Sequence, residues 1–133
     1  MRIMVSGSRE YTNYECVRRA LEDAAGDARI VTVVHGAARG ADSLAQEVAE
    51  EYGFKVEAHP ADWTLGKRGG NIRNSEMLVS GIDVALFFFD SALANAGTRD
   101  AAKKAIGMEI PSRYFVDNDE CDIKGVKRLI RPF

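Results

Sequence analysis

Three glycine-containing stretches separate an apolar run from a helical pattern, and each brings groups that can grip an anion. Gly7-Ser8-Arg9 follows the run 2–5. Gly36-Ala37-Ala38-Arg39-Gly40-Ala41-Asp42 follows the run 30–34, and Gly97-Thr98 lies beyond the run 84–89. Glycine lets backbone N–H groups approach a ligand closely. Serine and threonine add hydroxyl donors, and arginine adds a planar fork that suits phosphate. Where such a stretch opens a helix, its unsatisfied N–H groups and the helix dipole favour an anion. The chemistry implied is phosphate binding.

A fourth stretch follows the run 54–58. It holds Pro60-Ala61-Asp62-Trp63, then Gly66-Lys67, then Arg73-Asn74 in the early turns of a helix. Trp63 either stacks on a base or anchors its own loop. Asp42 is expected to cap the helix that it opens, with a ribose hydroxyl as the other partner. Thr98 is expected as the cap of its helix. Asp62, Asp83 and Asp90 fall near strand ends, where they could hold a magnesium ion on a ligand's phosphates. His35 and His59 end strands and read as structural. There is no GxGxxG fingerprint and no P-loop lysine, which argues against dinucleotide and Walker-type sites. No Ser-His-Asp order, Cys-His pair or metal-ligand spacing appears.

The elements that must position these residues alternate along the chain. Strands are expected over 2–5, 30–34, 54–58, 84–89 and 111–116. The run 84–89 (VALFFF) is the most apolar and is expected at the centre. Helices are expected from Val17 to Ala24, over 41–52 with an inward stripe of Leu44, Ala45, Val48, Ala49 and Tyr52, over 71–80, and over 98–106. The stretch 60–70 reads as a loop. The tail, with Lys124, Lys127, Arg128 and Arg131, reads as a short helix or an extra edge strand. Alternation of this kind implies an α/β, three-layer Rossmann-like sandwich around a mostly parallel sheet of five strands or slightly more. Ligands of such sheets bind beyond the carboxyl ends of the strands, at the switch in strand order.

The chain has 133 residues, a size that suits one domain over 1–133. Its net charge is −2, so a long nucleic acid is not the expected partner. A small anion needs only a few local donors. Cys16 and Cys121 stand apart from any CxxC pair and suit a reducing compartment. With no apolar run of membrane-spanning length, a cytoplasmic protein is expected. Oligomeric state is not legible, and a homo-oligomer stays open.

Taken together, Gly7-Ser8-Arg9, the 36–42 stretch, Pro60-Ala61-Asp62-Trp63, Gly66-Lys67, Arg73-Asn74 with Met77, and Gly97-Thr98 resemble the SLOG superfamily. That superfamily groups DprA proteins with the LOG phosphoribohydrolases. The match is to its YspA-like branch of small bacterial and phage proteins. The resemblance implies a nucleotide or nucleotide-derived ligand held by Gly7, Ser8, Arg9, Gly36, Arg39, Gly40, Asp42, Trp63, Lys67, Arg73, Asn74, Asp90, Gly97 and Thr98. LOG enzymes cleave nucleoside monophosphates with an Arg-Lys-x-x-Met motif and a glutamate after Gly-Thr. Here Asn74 replaces the lysine and Ala101 stands at the glutamate position. Alanine offers no acid, base or charge. The expected function is therefore binding, as a sensor or sequestering module. Hydrolysis is the alternative, with Arg73, Glu76 and Asp100 as candidates. Single-stranded nucleic-acid binding, by analogy with DprA and with the basic tail, is the second alternative.

Overall fold

A computed structural model describes residues 1–93 and 95–130. In chain order the elements are β1 (Arg2–Gly7), α1 (Tyr14–Ala25), β2 (Thr32–His35), α2 (Ala41–Tyr52), β3 (Lys55–Ala58), α3 (Lys67–Val79), β4 (Val84–Phe89), α4 (Ala96–Gly107), β5 (Ser112–Val116), β6 (Asp119–Cys121) and α5 (Ile123–Ile130). The six strands form one sheet in the order β3-β2-β1-β4-β5-β6. Every pairing is parallel except β5 with β6.

Side-chain alternation along the central strands explains the three layers. Ile3 and Val5 on β1, and Leu86 and Phe88 on β4, point to the face covered by α1 and α2. Met4, Phe87 and Phe89 point to the other face, where they meet Met77 and Leu78 of α3, Ala101, Ala102 and Ala105 of α4, and Val126 and Ile130 of α5. Both faces are covered, so β4 needs apolar residues at every position, as its sequence has. Phe88 and Phe115 stack at 4.9 Å between centroids, and Phe87 and Tyr114 at 5.9 Å.

Several expectations shift. The second strand starts at Thr32, because Ile30 lies in the preceding turn and is 61% exposed. The third helix starts at Lys67, four residues before the expected start. Its early glycines are there for contact: a Cβ on Gly69 would lie 2.1 Å from the Asp62 carbonyl oxygen, and one on Gly70 would lie 3.1 Å from the Trp63 ring. The tail provides both an edge strand, β6, and a helix, α5, where one or the other was expected. Lys124, Lys127 and Arg128 lie on the exposed side of α5, and Arg131 lies outside the described residues. Both cysteines are free, Cys16 being buried. Among the described residues, no helix is long and apolar enough to cross a membrane.

At the amino-terminal rim, Arg2 makes two bonds of 2.7 and 3.0 Å to Glu57. Those bonds, with one from His59, hold the Glu57 carboxyl down at about 2, from an ordinary 4.5. The folded value lies below the unfolded one. Its contribution is therefore complete above the ordinary value and is lost as pH falls toward the folded value. Glu57 is partly exposed, so the effect is small. Glu57→Gln is expected to be less stable than the parent at neutral pH and to lose that disadvantage in acid. Urea midpoints measured from neutral to acid pH check this; parallel curves would contradict it.

Candidate functional site

Strand order reverses at β1. The chain goes outward to β2 and β3 on one side, and to β4, β5 and β6 on the other. The loops after β1 and β4 therefore part at their carboxyl ends and leave a crevice. A cleft of about 640 Å³ lies there. That volume is in the range of sites that take nucleotide-sized ligands.

The loops after all four strands β1 to β4 contribute. From the first come Gly7, Ser8, Arg9 and Glu10; from the second, Ala38, Arg39 and Asp42. The third supplies Trp63, with Lys67, Arg73, Asn74 and Met77 on α3. The fourth supplies Asn95 and the start of α4, with Gly97, Thr98 and Asp100. The expected residues Gly36, Gly40 and Asp90 do not line this cleft. Gly36 borders a shallower adjoining groove with Pro60 and Ala61. Gly40 packs against the Ser8 and Arg9 backbone. Asp90 organises its own loop, accepting from the Ala92 N–H at 2.9 Å.

Three of the four helices that follow these strands begin without a side-chain cap, namely α2, α3 and α4. Only α1 has one, where Asn13 accepts from the Cys16 N–H. The expected caps do other work. Asp42 sits inside α2, behind Gly40 at the cap, and its Oδ2 accepts from the Gly36 and Ala38 N–H groups at 3.0 and 3.2 Å. This carboxylate occupies two of the loop donors expected to cradle an anion. Thr98 lies in the first turn of α4, which starts two residues early. Asn95 precedes that helix in the left-handed region at φ 52° and binds the Asp90 and Leu93 carbonyls. It holds the loop in shape, and among the described residues no side chain caps the first N–H groups of α4. Asparagine tolerates this conformation, and that was the available signal.

Arg73 and Asn74, expected as ligand-binding residues in the early turns of the helix, are buried at 9% and 2% exposure. Arg73 donates to the Gly36 carbonyl at 2.5 Å and to Asn74 Oδ1 at 2.9 Å. Gly36 permits this: a Cβ there would lie 2.2 Å from the Arg73 guanidinium. Burial pulls the Arg73 pKa down, while Asp42 and Asp100 oppose that. Asn74 in turn donates to the Gly97 carbonyl and to Asp100, both at 3.1 Å. Asp100 also pairs with Lys104 at 2.9 Å. One buried chain of polar contacts therefore ties the β2 loop to the start of α4.

Trp63 is 53% exposed, and the Arg9 guanidinium lies 5.0 Å from its ring centroid. Its ring also rests by Gly70, so it both anchors the loop and stays accessible. Arg39 pairs with Glu10 at 2.6 Å in solvent. Lys67 opens α3 at the cleft edge.

Other expectations separate. Glu76 is exposed and outside the cleft, so it is not placed for catalysis there. Ala101 is fully buried in the core, so the position of the LOG glutamate faces away from the cleft. Asp83 precedes β4 at the opposite end of the sheet, where it accepts from the Arg2 N–H. Asp62 caps the turn Trp63–Leu65. The three aspartates thus do not converge, and among the described residues no group of three acidic, histidine or cysteine side chains could hold a metal ion. His35 is structural: its Nδ1 accepts from the Ala37 N–H, and its Nε2 meets Gln46 at 2.7 Å.

Fold and cleft define a Rossmann-like α/β protein whose strand-end loops converge at the switch in strand order. Comparison with known proteins then gives the family. Residues 1–66 match the YspA, cpYpsA-related SLOG family (YAcAr). The chain is 38% identical over 123 residues to the Gene 61 protein of Mycobacterium phage D29, covering 87% of this chain and 97% of that one. The chain belongs to the YspA, cpYpsA-related SLOG family. Among solved structures it resembles DNA processing protein A from Helicobacter pylori, a structure concerned with that protein's single-stranded DNA binding mode. The TM-score is 0.61 at 18% identity, over 96% of this chain and 72% of that one. At that identity the likeness speaks to the fold.

Proposed function

We propose that the cleft binds a nucleotide or nucleotide-derived ligand, and that the protein senses or sequesters it. The observation that carries this reading is the uncapped start of α4, opening into the same cleft as Arg9, Lys67 and the Trp63 ring. A helix amino terminus takes a phosphate without further help. Arg9 and Lys67 add charge, and an accessible indole beside a guanidinium is a surface on which a base stacks. Glu76 and Ala101 supply no acid or base at the cleft, and Asp100, the candidate carboxylate that does line it, is tied to Asn74 and Lys104, which favours binding over hydrolysis. If a phosphorylated ligand brings magnesium, its phosphate oxygens and retained waters supply the coordination.

Thermal shift with a panel of nucleotides tests this, reading Trp63 fluorescence in parallel. A ligand at a hundred times its Kd is expected to stabilise the fold by about 2.7 kcal/mol, a rise of roughly 5–10 °C. Arg9→Ala is expected to reduce that rise. A flat panel would overturn the reading. Free base appearing in the same samples would favour hydrolysis.

Single-stranded DNA is the second reading. It is supported by the exposed Arg9–Trp63 pair, a stacking platform of the kind such proteins use, and by the likeness to DNA processing protein A. The chain's net charge of −2 weighs against it. Oligonucleotide affinity that falls steeply with salt, with no response to mononucleotides, would favour DNA.

A further inference from the structure

The cleft is suited to an anion, yet two carboxylates lie in it. Asp42 and Asp100 both line it. Asp42 is only 5% exposed, and while its Oδ2 accepts two backbone N–H groups, its Oδ1 has no hydrogen-bond partner among the described residues. A buried acceptor left unmatched is unfavourable until a donor meets it. Asp100 is fixed through Oδ2, by Asn74 at 3.1 Å and Lys104 at 2.9 Å. Its Oδ1 has no donor among the described residues. Both carboxylates act on Arg73 between them, which keeps this part of the cleft polar and buried.

A phosphate set against either aspartate is repelled. The ligand group that meets them has to be a donor, while the phosphate goes to the start of α4. Phosphate and hydroxyl donors on one molecule describe a sugar phosphate. Burial pushes the Asp42 carboxyl up. A hydroxyl suits either protonation state, because it donates to a carboxylate and accepts from the acid.

Resting on the nucleotide reading above, we infer that Asp42 and Asp100 are specificity-determining residues that bind ribose hydroxyls, so that the cleft selects ribonucleotides over deoxyribonucleotides. A site built to bond a hydroxyl rejects the analogue that lacks it, because its own polar groups are then left unpaired.

Titration calorimetry in EDTA tests this with AMP, GMP, CMP and UMP and their 2′-deoxy and 3′-deoxy counterparts. The ribonucleotide that binds is expected to lose about tenfold or more in affinity when one sugar hydroxyl is removed. Equal affinity for the deoxy forms would overturn the inference and leave the nucleotide reading standing. Binding by none of these compounds would remove both. Asp100→Asn is expected to keep the melting temperature and reduce the preference several-fold. Asp42→Asn, if it folds, is expected to do the same. Full preference retained in Asp100→Asn and in a folded Asp42→Asn would also overturn the assignment.

Discussion

Gly40→Ala is expected to destabilise the protein by about 3–5 kcal/mol and to lower its melting temperature by roughly 10 °C or more. Two costs act together at this position. Gly40 has φ 76° and ψ −127°, a conformation that residues with a Cβ adopt only under strain. The added Cβ would also lie 2.2 Å from the Ser8 carbonyl oxygen and 2.6 Å from the Arg9 backbone. Those are main-chain atoms, so no side chain can turn aside. The Ala41 N–H donates to the same Ser8 carbonyl at 3.2 Å, which makes Gly40 the point where the loops after β1 and β2 touch. Displacing one loop displaces the other, and Arg9 with it. Calorimetric or urea unfolding of the variant measures the effect. A melting temperature within two or three degrees of the parent would mean that these loops are not held through this contact.

The fold was largely legible because both sheet faces are covered. A strand buried on two sides has to be apolar throughout, and VALFFF at 84–89 is β4 as expected. The stripe on 41–52 was legible for the converse reason, with Leu44, Ala45, Val48 and Ala49 turned inward, whereas Tyr52 at its end is 38% exposed. Boundaries were missed where a local signal had a tertiary cause. Gly69 and Gly70 read as loop, yet they are helical and small because the Asp62 carbonyl and the Trp63 ring press on them. Ile30 reads as strand by type, but the turn before β2 leaves it in solvent.

The site was legible as a set of loops and not as a set of bonds. The reversal of strand order places Arg9, Lys67 and Gly97 at one crevice, and alternation of elements predicts that reversal. What a polar side chain does there depends on which neighbour arrives first. Asp42 has the composition of a cap, but its carboxylate closes on Gly36 and Ala38. Arg73 was expected to face a ligand, yet it is buried and its guanidinium donates to the Gly36 carbonyl. One step along a helix separates Asp100, at the cleft, from Ala101, in the core, because each residue turns by about 100°.

Gly97 gives the counterpart to Gly40, because nothing in the fold requires it to be glycine. Outside its own helix turn, a Cβ there would meet no atom of the described residues within 4 Å, and its φ is not positive. It lies in the exposed first turn of α4 and lines the cleft. Gly97→Val should therefore leave the melting temperature within a few degrees of the parent, since a β-branched residue costs little in an exposed first turn. The branched side chain would nevertheless stand over the uncapped N–H groups to which the proposed reading assigns a phosphate. Losing those charge-assisted bonds is expected to weaken nucleotide affinity by about 30-fold or more. Calorimetric titration beside a melting curve separates the two effects. Intact stability with lost binding is the signature of a glycine that serves the ligand. Unchanged affinity would move the phosphate away from α4, toward Lys67 and the start of α3, where Lys67→Ala would then be the variant that loses binding.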